Sequence, residues 1–228
     1  MPSESLPAGA PGGEPSRPIR SWVRSSPGTH LWLLVIAVTS VVIAVSSDGL
    51  EHYLLHRNSS NLHQLSHHPL QALLGSAFWI EDPSDFVLYA VLFEVFHAPV
   101  ERWLGTLRWF LTVATAHVAA TLISQQVVLD AIQDHDVPRS MAHVVDIGVS
   151  YGIAASIGIL TYRIPRPWRW LYLAGAVAVF AVPLFTSHTY TDLGHAISLV
   201  IGLACRPLTW GVDPPGNSVA VERPSRAH

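Results

Sequence analysis

The 228-residue sequence has no lysine and one cysteine, Cys205, and only 13% of its residues are charged. A lone cysteine forms no internal disulfide and no thiolate zinc site, so a metal would need His and carboxylate ligands. Thirteen histidines and sixteen acids keep that chemistry open. A soluble domain carries about 25% charged residues. The low charge, together with 50% hydrophobic residues and a mean hydropathy of +0.34, excludes an ordinary soluble domain and points to a membrane protein. The basic residues are all arginine and nearly balance the acids, with a net charge of -3, which gives no basis for a nucleic-acid partner.

What the sequence has in place of charge is long apolar runs. Residues 1–29 and 207–228 are rich in Pro, Gly and Ser, and the composition predicts disordered tails there. Crossing a bilayer takes about 20 apolar residues. Six stretches approach that length: His30–Ser47, Asp85–Val100, Leu107–Val128, Ala142–Tyr162, Trp170–Thr186 and Ser187–Cys205. A cleavable leader competes for the first, because Arg17, Arg20 and Arg24 precede it and Ala44-Val45-Ser46 suits a cleavage site, but such a leader would be unusually long. The predicted fold class is all-α, a polytopic membrane protein with a six-helix domain over residues 30–206 and the lipid bilayer as partner.

Arginine placement gives the orientation, since cytoplasmic loops collect positive charge. With the N-terminus inside, Arg17, Arg20, Arg24, Arg102, Arg108, Arg163, Arg166, Arg169 and Arg206 are cytoplasmic, and only Arg57 and Arg139 are outside. Both termini are therefore expected in the cytoplasm, in a protein of the plasma membrane. The first outer loop, from Asp48 to Ser84, is long and contains the apolar run Leu70–Ile80, too short to span and suited to an interfacial or re-entrant helix.

Ionisable side chains are costly in hydrocarbon and mark functional candidates. Here they are Asp85, Glu94, His97, His117, His143, Asp146, His188, Asp192 and His195. In continuous helices, His143, Asp146 and Ser150 fall on one face, as do His188, Asp192 and His195, so two polar stripes are expected to face each other. Ser150 and His195 then lie at similar depth, and a histidine within about 3 Å activates a serine by taking its proton. Gly148 and Gly152 beside the serine, and Gly194 and Gly202 beside the histidine, would let the helices approach closely. Asp146 and Asp192 are expected near helix N-termini, where a carboxylate is favoured. A metallohydrolase is the competing reading, with His143, Asp146, His188, Asp192 and His195 as zinc ligands, although the dense His-Glu-x-x-His motif is missing. The outer-loop histidines His52, His56, His63, His67 and His68 suit solvated or interfacial positions.

Three segments carry a family resemblance: Val100-Glu101-Arg102-Trp103-Leu104-Gly105-Thr106, Gly148-Val149-Ser150-Tyr151-Gly152, and Gly194-His195-Ala196-Ile197-Ser198-Leu199-Val200-Ile201-Gly202. In this order and spacing the sequence resembles the rhomboid family of intramembrane serine proteases, over roughly residues 30–205. The resemblance implies a six-helix core without cofactor, in which Ser150 attacks a peptide carbonyl, His195 acts as base and then acid, and transmembrane segments of other proteins are the substrates. It also implies oxyanion donors at the places occupied by Asp85 and Tyr89, with Gly148 supporting the serine. The chain departs from the family pattern at Tyr151, where a second glycine is usual, at Ala154, where an aromatic often packs on the histidine, and at Ser198, where glycine is usual. An inactive relative that binds transmembrane helices without cutting them is the alternative.

Overall fold

The computed structural model describes residues 18–186 and 189–212, and every regular element among them is a helix. The chain opens with α1 (Pro18–Ser25) and α2 (Pro27–Ala44), followed by three short helices in the first long connection: α3 (Asp48–Arg57), α4 (Leu62–His67) and α5 (Pro69–Ser76). Next come α6 (Phe86–Leu92) and α7 (Ala98–Leu104), joined by a π-helical turn over Phe93–His97. The four remaining helices are α8 (Thr106–Gln133), α9 (Val149–Leu160), α10 (Trp168–Thr186) and α11 (Tyr190–Ala204). Of these, α2, α8 and α10 are each long and apolar enough to cross a membrane.

The expected tails are ordered in part, because residues 18–25 and 27–29 are helical and Arg206–Thr209 forms a 3-10 turn; residues 1–17 and 213–228 lie outside the described residues. The start of α2 has a specific cause. Glu101, 2% exposed in the middle of α7, accepts hydrogen bonds from the backbone N–H groups of Gly28 (2.8 Å) and Thr29 (2.7 Å) and from the Thr29 and Thr106 hydroxyls (both 2.7 Å). A carboxylate thus satisfies the otherwise unpaired first turn of α2 and meets the positive end of its dipole.

The largest correction concerns the expected Ala142–Tyr162 span. Residues Arg139–His143 form a 3-10 turn, Val144–Gly148 are not helical, and α9 begins only at Val149. His143, Asp146 and Ser150 therefore share no helical face. Backbone groups of this non-helical segment are paired with protein. The Asp146 N–H donates to Ser59 Oγ (2.9 Å), and its carbonyl accepts from the Ser60 N–H (2.8 Å) and the Ser60 hydroxyl (3.0 Å). The Gly148 N–H donates to the Ser76 carbonyl (3.0 Å). Irregular backbone is tolerated at membrane depth only when buried in protein in this way.

Helix α9 packs against α8 and α11, and toward α11 almost no side chain separates the backbones. A Cβ on Gly158 would come within 2.5 Å of the Leu199 carbonyl oxygen, and one on Gly202 would overlap the Ala155 carbonyl. Ten of the 12 residues of α9 are buried, so this helix forms the centre of the molecule. Helix α10 is its opposite: Ala176 is its only buried residue.

Candidate active site

Ser150 is the second residue of α9, and His195 stands on α11. The two meet across the glycine-lined α9–α11 contact, with His195 Nε2 2.7 Å from Ser150 Oγ. That distance is a hydrogen bond, and the hydroxyl is its donor when the imidazole is neutral with its proton on Nδ1. Nδ1 has no hydrogen-bond partner among the described residues. Because Ser150 lies in the first turn of its helix, its backbone N–H has no acceptor one turn back and stays available.

Tyr151 gives the pair its second contact. Its ring is fully buried, lies edge-on to the His195 ring at 5.4 Å between centroids, and occupies the space that a side chain at Gly194 would need, 2.6 Å from the built Cβ. Its hydroxyl donates to Asp146 Oδ1 (3.0 Å). Phe180 of α10 approaches His195 from another side, with 5.9 Å between the rings. The residue that departs from the family pattern at 151 thus provides an aromatic neighbour for His195, which the expected position, Ala154, does not.

Asp146 is 5% exposed and organises the approach to the serine. Besides Tyr151, its carboxylate accepts from the Ser60 hydroxyl (3.1 Å) and the Gln125 side-chain amide (3.2 Å). It stands just before α9, as expected, but makes no capping hydrogen bond to it; Gly148 is the cap residue. Asp192 does occupy a helix N-terminus, in a capping box: its N–H donates to Thr189 Oγ1 (3.1 Å), and its carboxylate accepts from the Thr189 hydroxyl and N–H. His117 fastens the segment before the serine. Its Nε2 is 2.8 Å from the Leu73 carbonyl and its Nδ1 3.2 Å from the Gly148 carbonyl, and a side chain at Gly148 would overlap its ring.

The remaining candidates lie elsewhere. His143 is exposed and stacks on His63 at 4.5 Å, away from Ser150. His52 packs on His56 at 4.0 Å and His63 on His67 at 4.5 Å. Burial and the neighbouring His52 and His143 rings hold the His56 imidazole below its ordinary pKa. Glu94 pairs with His30 (3.2 Å) and Arg102 (3.7 Å). His97, at the end of the π-helical turn, is fully buried, and its Nδ1 accepts from Trp109 Nε1 (3.0 Å) beside the Ser156 hydroxyl (2.9 Å). His188 lies outside the described residues. The stripe of His143, Asp146 and Ser150 therefore does not form: His143 is exposed on the 3-10 turn, and Asp146 is bonded to Ser60, Gln125 and Tyr151; of the second set, Asp192 caps α11 and His195 meets Ser150. Among the described residues, no three His, Cys, Asp or Glu side chains are grouped to hold a metal ion.

Ser150 and His195 open into a cavity of about 880 Å³ between α6, α9 and α10. Its walls are largely apolar, with Leu88, Phe96, Ile153 and Val179, and Asp85 and Tyr89 also line it. Asp85 sits in the 3-10 turn Pro83–Asp85 before α6 and is exposed. No hydrogen bond joins Asp85 or Tyr89 to Ser150.

The family described as rhomboid-like protein matches residues 21–214, nearly the whole of the described chain. The chain belongs to the rhomboid-like family. It is thus a membrane protein, and lipid surrounds its apolar helices. No curated protein and no solved structure matches it significantly. The rhomboid-like chain keeps a serine and a histidine in contact but surrounds them differently from the family pattern. Ser59, Ser60, Ser76 and Gln125, which hold the approach to Ser150, carry no signal in the sequence beyond being polar residues in or beside apolar runs.

Proposed function

We propose that this rhomboid-like protein is an intramembrane serine protease that cleaves transmembrane segments of other membrane proteins, using Ser150 as nucleophile and His195 as base. The observation that carries this reading is the 2.7 Å contact between Ser150 Oγ and His195 Nε2 at the wall of an apolar cavity. An unfolded or helical substrate segment of ordinary membrane composition suits those apolar walls.

In the proposed reaction, Ser150 Oγ attacks a peptide carbonyl while His195 Nε2 takes its proton. The imidazolium then gives that proton to the leaving amine, and an acyl-enzyme forms on Ser150. Water, deprotonated by the same ring, attacks the ester and releases the acid, which regenerates the hydroxyl. The free N–H of Ser150 at the positive end of α9, supported by Gly148 and the Tyr89 hydroxyl, is the proposed stabiliser of the oxyanion. The Asp85 carboxylate opposes that charge. Removing it by Asp85→Asn is expected to raise the rate.

The topology belongs to the same proposal: six spans, formed by α2, the α6–α7 unit, α8, the 144–148 segment with α9, α10 and α11, with both termini cytoplasmic in the plasma membrane. The nine-to-two distribution of arginines supports this orientation. The deciding experiment is cleavage of a transmembrane reporter in proteoliposomes. Wild type should release a fragment, and Ser150→Ala and His195→Ala should not. Binding of the reporter without cleavage by wild type would leave the inactive, helix-binding alternative in place.

A further inference from the structure

A second cavity, of about 440 Å³, opens at the C-terminal end of α9, whereas Ser150 stands at its N-terminal end. Three arginines line it, Arg166, Arg169 and Arg206, together with Tyr162 and the indoles of Trp170 and Trp210. No acidic residue is among its lining residues. Arg169 donates to the carbonyls of Tyr162 (2.9 Å) and Ile164 (3.1 Å), and the Arg206 guanidinium lies over the Tyr162 ring at 5.7 Å. The side chains of Arg166 and Arg206 have no hydrogen bond or ion pair with any described residue.

Positive charge at this end of the bundle follows from topology, but topology does not require three guanidinium groups around one concavity. Like charges so placed repel unless an anion joins them. Guanidinium is the side chain best matched to phosphate oxygens, through paired N–H donors. The two indoles are 60% and 67% exposed, as side chains at a bilayer's headgroup level are, where an apolar ring and one N–H donor are both satisfied. Leu173 and Leu203 also line the wall, so the cavity offers apolar surface beside the arginines.

We infer that this cavity binds the phosphate of an anionic phospholipid, with the headgroup among Arg166, Arg169 and Arg206 and an acyl chain along Leu173 and the exposed face of α10. Basic pockets beside membrane helices on the cytoplasmic side are suited to such headgroups. The inference rests on the proposed topology only for the leaflet, and on the protease reading not at all.

The test is native mass spectrometry of the full chain in detergent, titrated with phosphatidylglycerol or phosphatidylcholine. Wild type should bind phosphatidylglycerol about tenfold tighter than phosphatidylcholine, and the Arg166→Gln/Arg206→Gln double variant should lose that preference. Arg139→Gln, remote in sequence and outside the lining, should keep it. If the double variant fails to fold, Arg166→Gln alone, in an exposed connection, should weaken the preference about threefold. An unchanged preference in the folded variants overturns the inference. So does displacement of the lipid by an equal concentration of inorganic phosphate, which would make the site one for a soluble anion. Because binding is read without cleavage and without a sided membrane, its failure is distinct from failure of the protease or the orientation.

Discussion

Helices α9 and α10 border the same cavity, and the fold holds them in opposite ways. Ten of the 12 residues of α9 are buried and its glycines touch the α11 backbone, while α10 buries only Ala176 of its 19. The α10 side chains that do reach inward are few: Tyr172 donates to the Ile157 carbonyl (3.0 Å), and Phe180 approaches the His195 ring. The serine and histidine therefore rest on the wall that packing fixes, and the cavity is closed by a wall that little holds. A wall with few buried contacts opens at lower free energy than one at the core, so under the proposed function α10 is the side expected to admit a segment without disturbing the pair.

Substitutions can break this contrast, and the largest effect is expected at the α9–α11 contact. Gly202→Leu would drive a side chain into the Ala155 backbone, which cannot yield, at a cost of about 3 kcal/mol or more. The expected result is loss of folded protein in detergent, read by size exclusion and thermal unfolding. Next is Asp146→Ala, which strands the Tyr151 hydroxyl and the Gln125 amide and should cost about 2–4 kcal/mol. Thermal unfolding reads that loss, and an unchanged midpoint would show that the segment before α9 is held by its backbone alone. Tyr151→Phe keeps the ring against His195 and removes only the hydroxyl, so a loss of about 1 kcal/mol is expected, with the serine still reactive. The smallest effect belongs to α10: Phe185→Ala, 76% exposed, should change stability by no more than about 0.5 kcal/mol. A large loss there would mean that α10 is held more firmly than its burial indicates.

The long apolar runs made the helical class legible, because α2, α8 and α10 are continuous stretches of apolar residues. The approach to Ser150 was not legible. Val144–Gly148 reads as apolar and helix-compatible, yet the chain is not helical there because distant residues, Ser59, Ser60, Ser76 and His117, offer its backbone better partners. Helix periodicity counts neighbours along one element and does not see partners supplied by another. The same limit applies to Asp146, whose apparent place on a stripe with His143 dissolved once that segment was extended. Tyr151 looked like damage to a glycine motif, and only the packing shows that its ring fills the space above Gly194 and borders His195. The contact between Ser150 and His195 was within reach of the sequence because both lie beside glycines that allow close backbones.

The central claim is that the fixed wall holds a serine activated by a histidine. Labelling of the purified protein with a fluorophosphonate probe tests it most directly, since such probes report an activated serine. Wild type should be labelled and Ser150→Ala should not, His195→Ala should lose about 10²-fold or more in rate, and Tyr151→Phe should retain labelling. Equal labelling of wild type and Ser150→Ala, or labelling indifferent to His195, would contradict it.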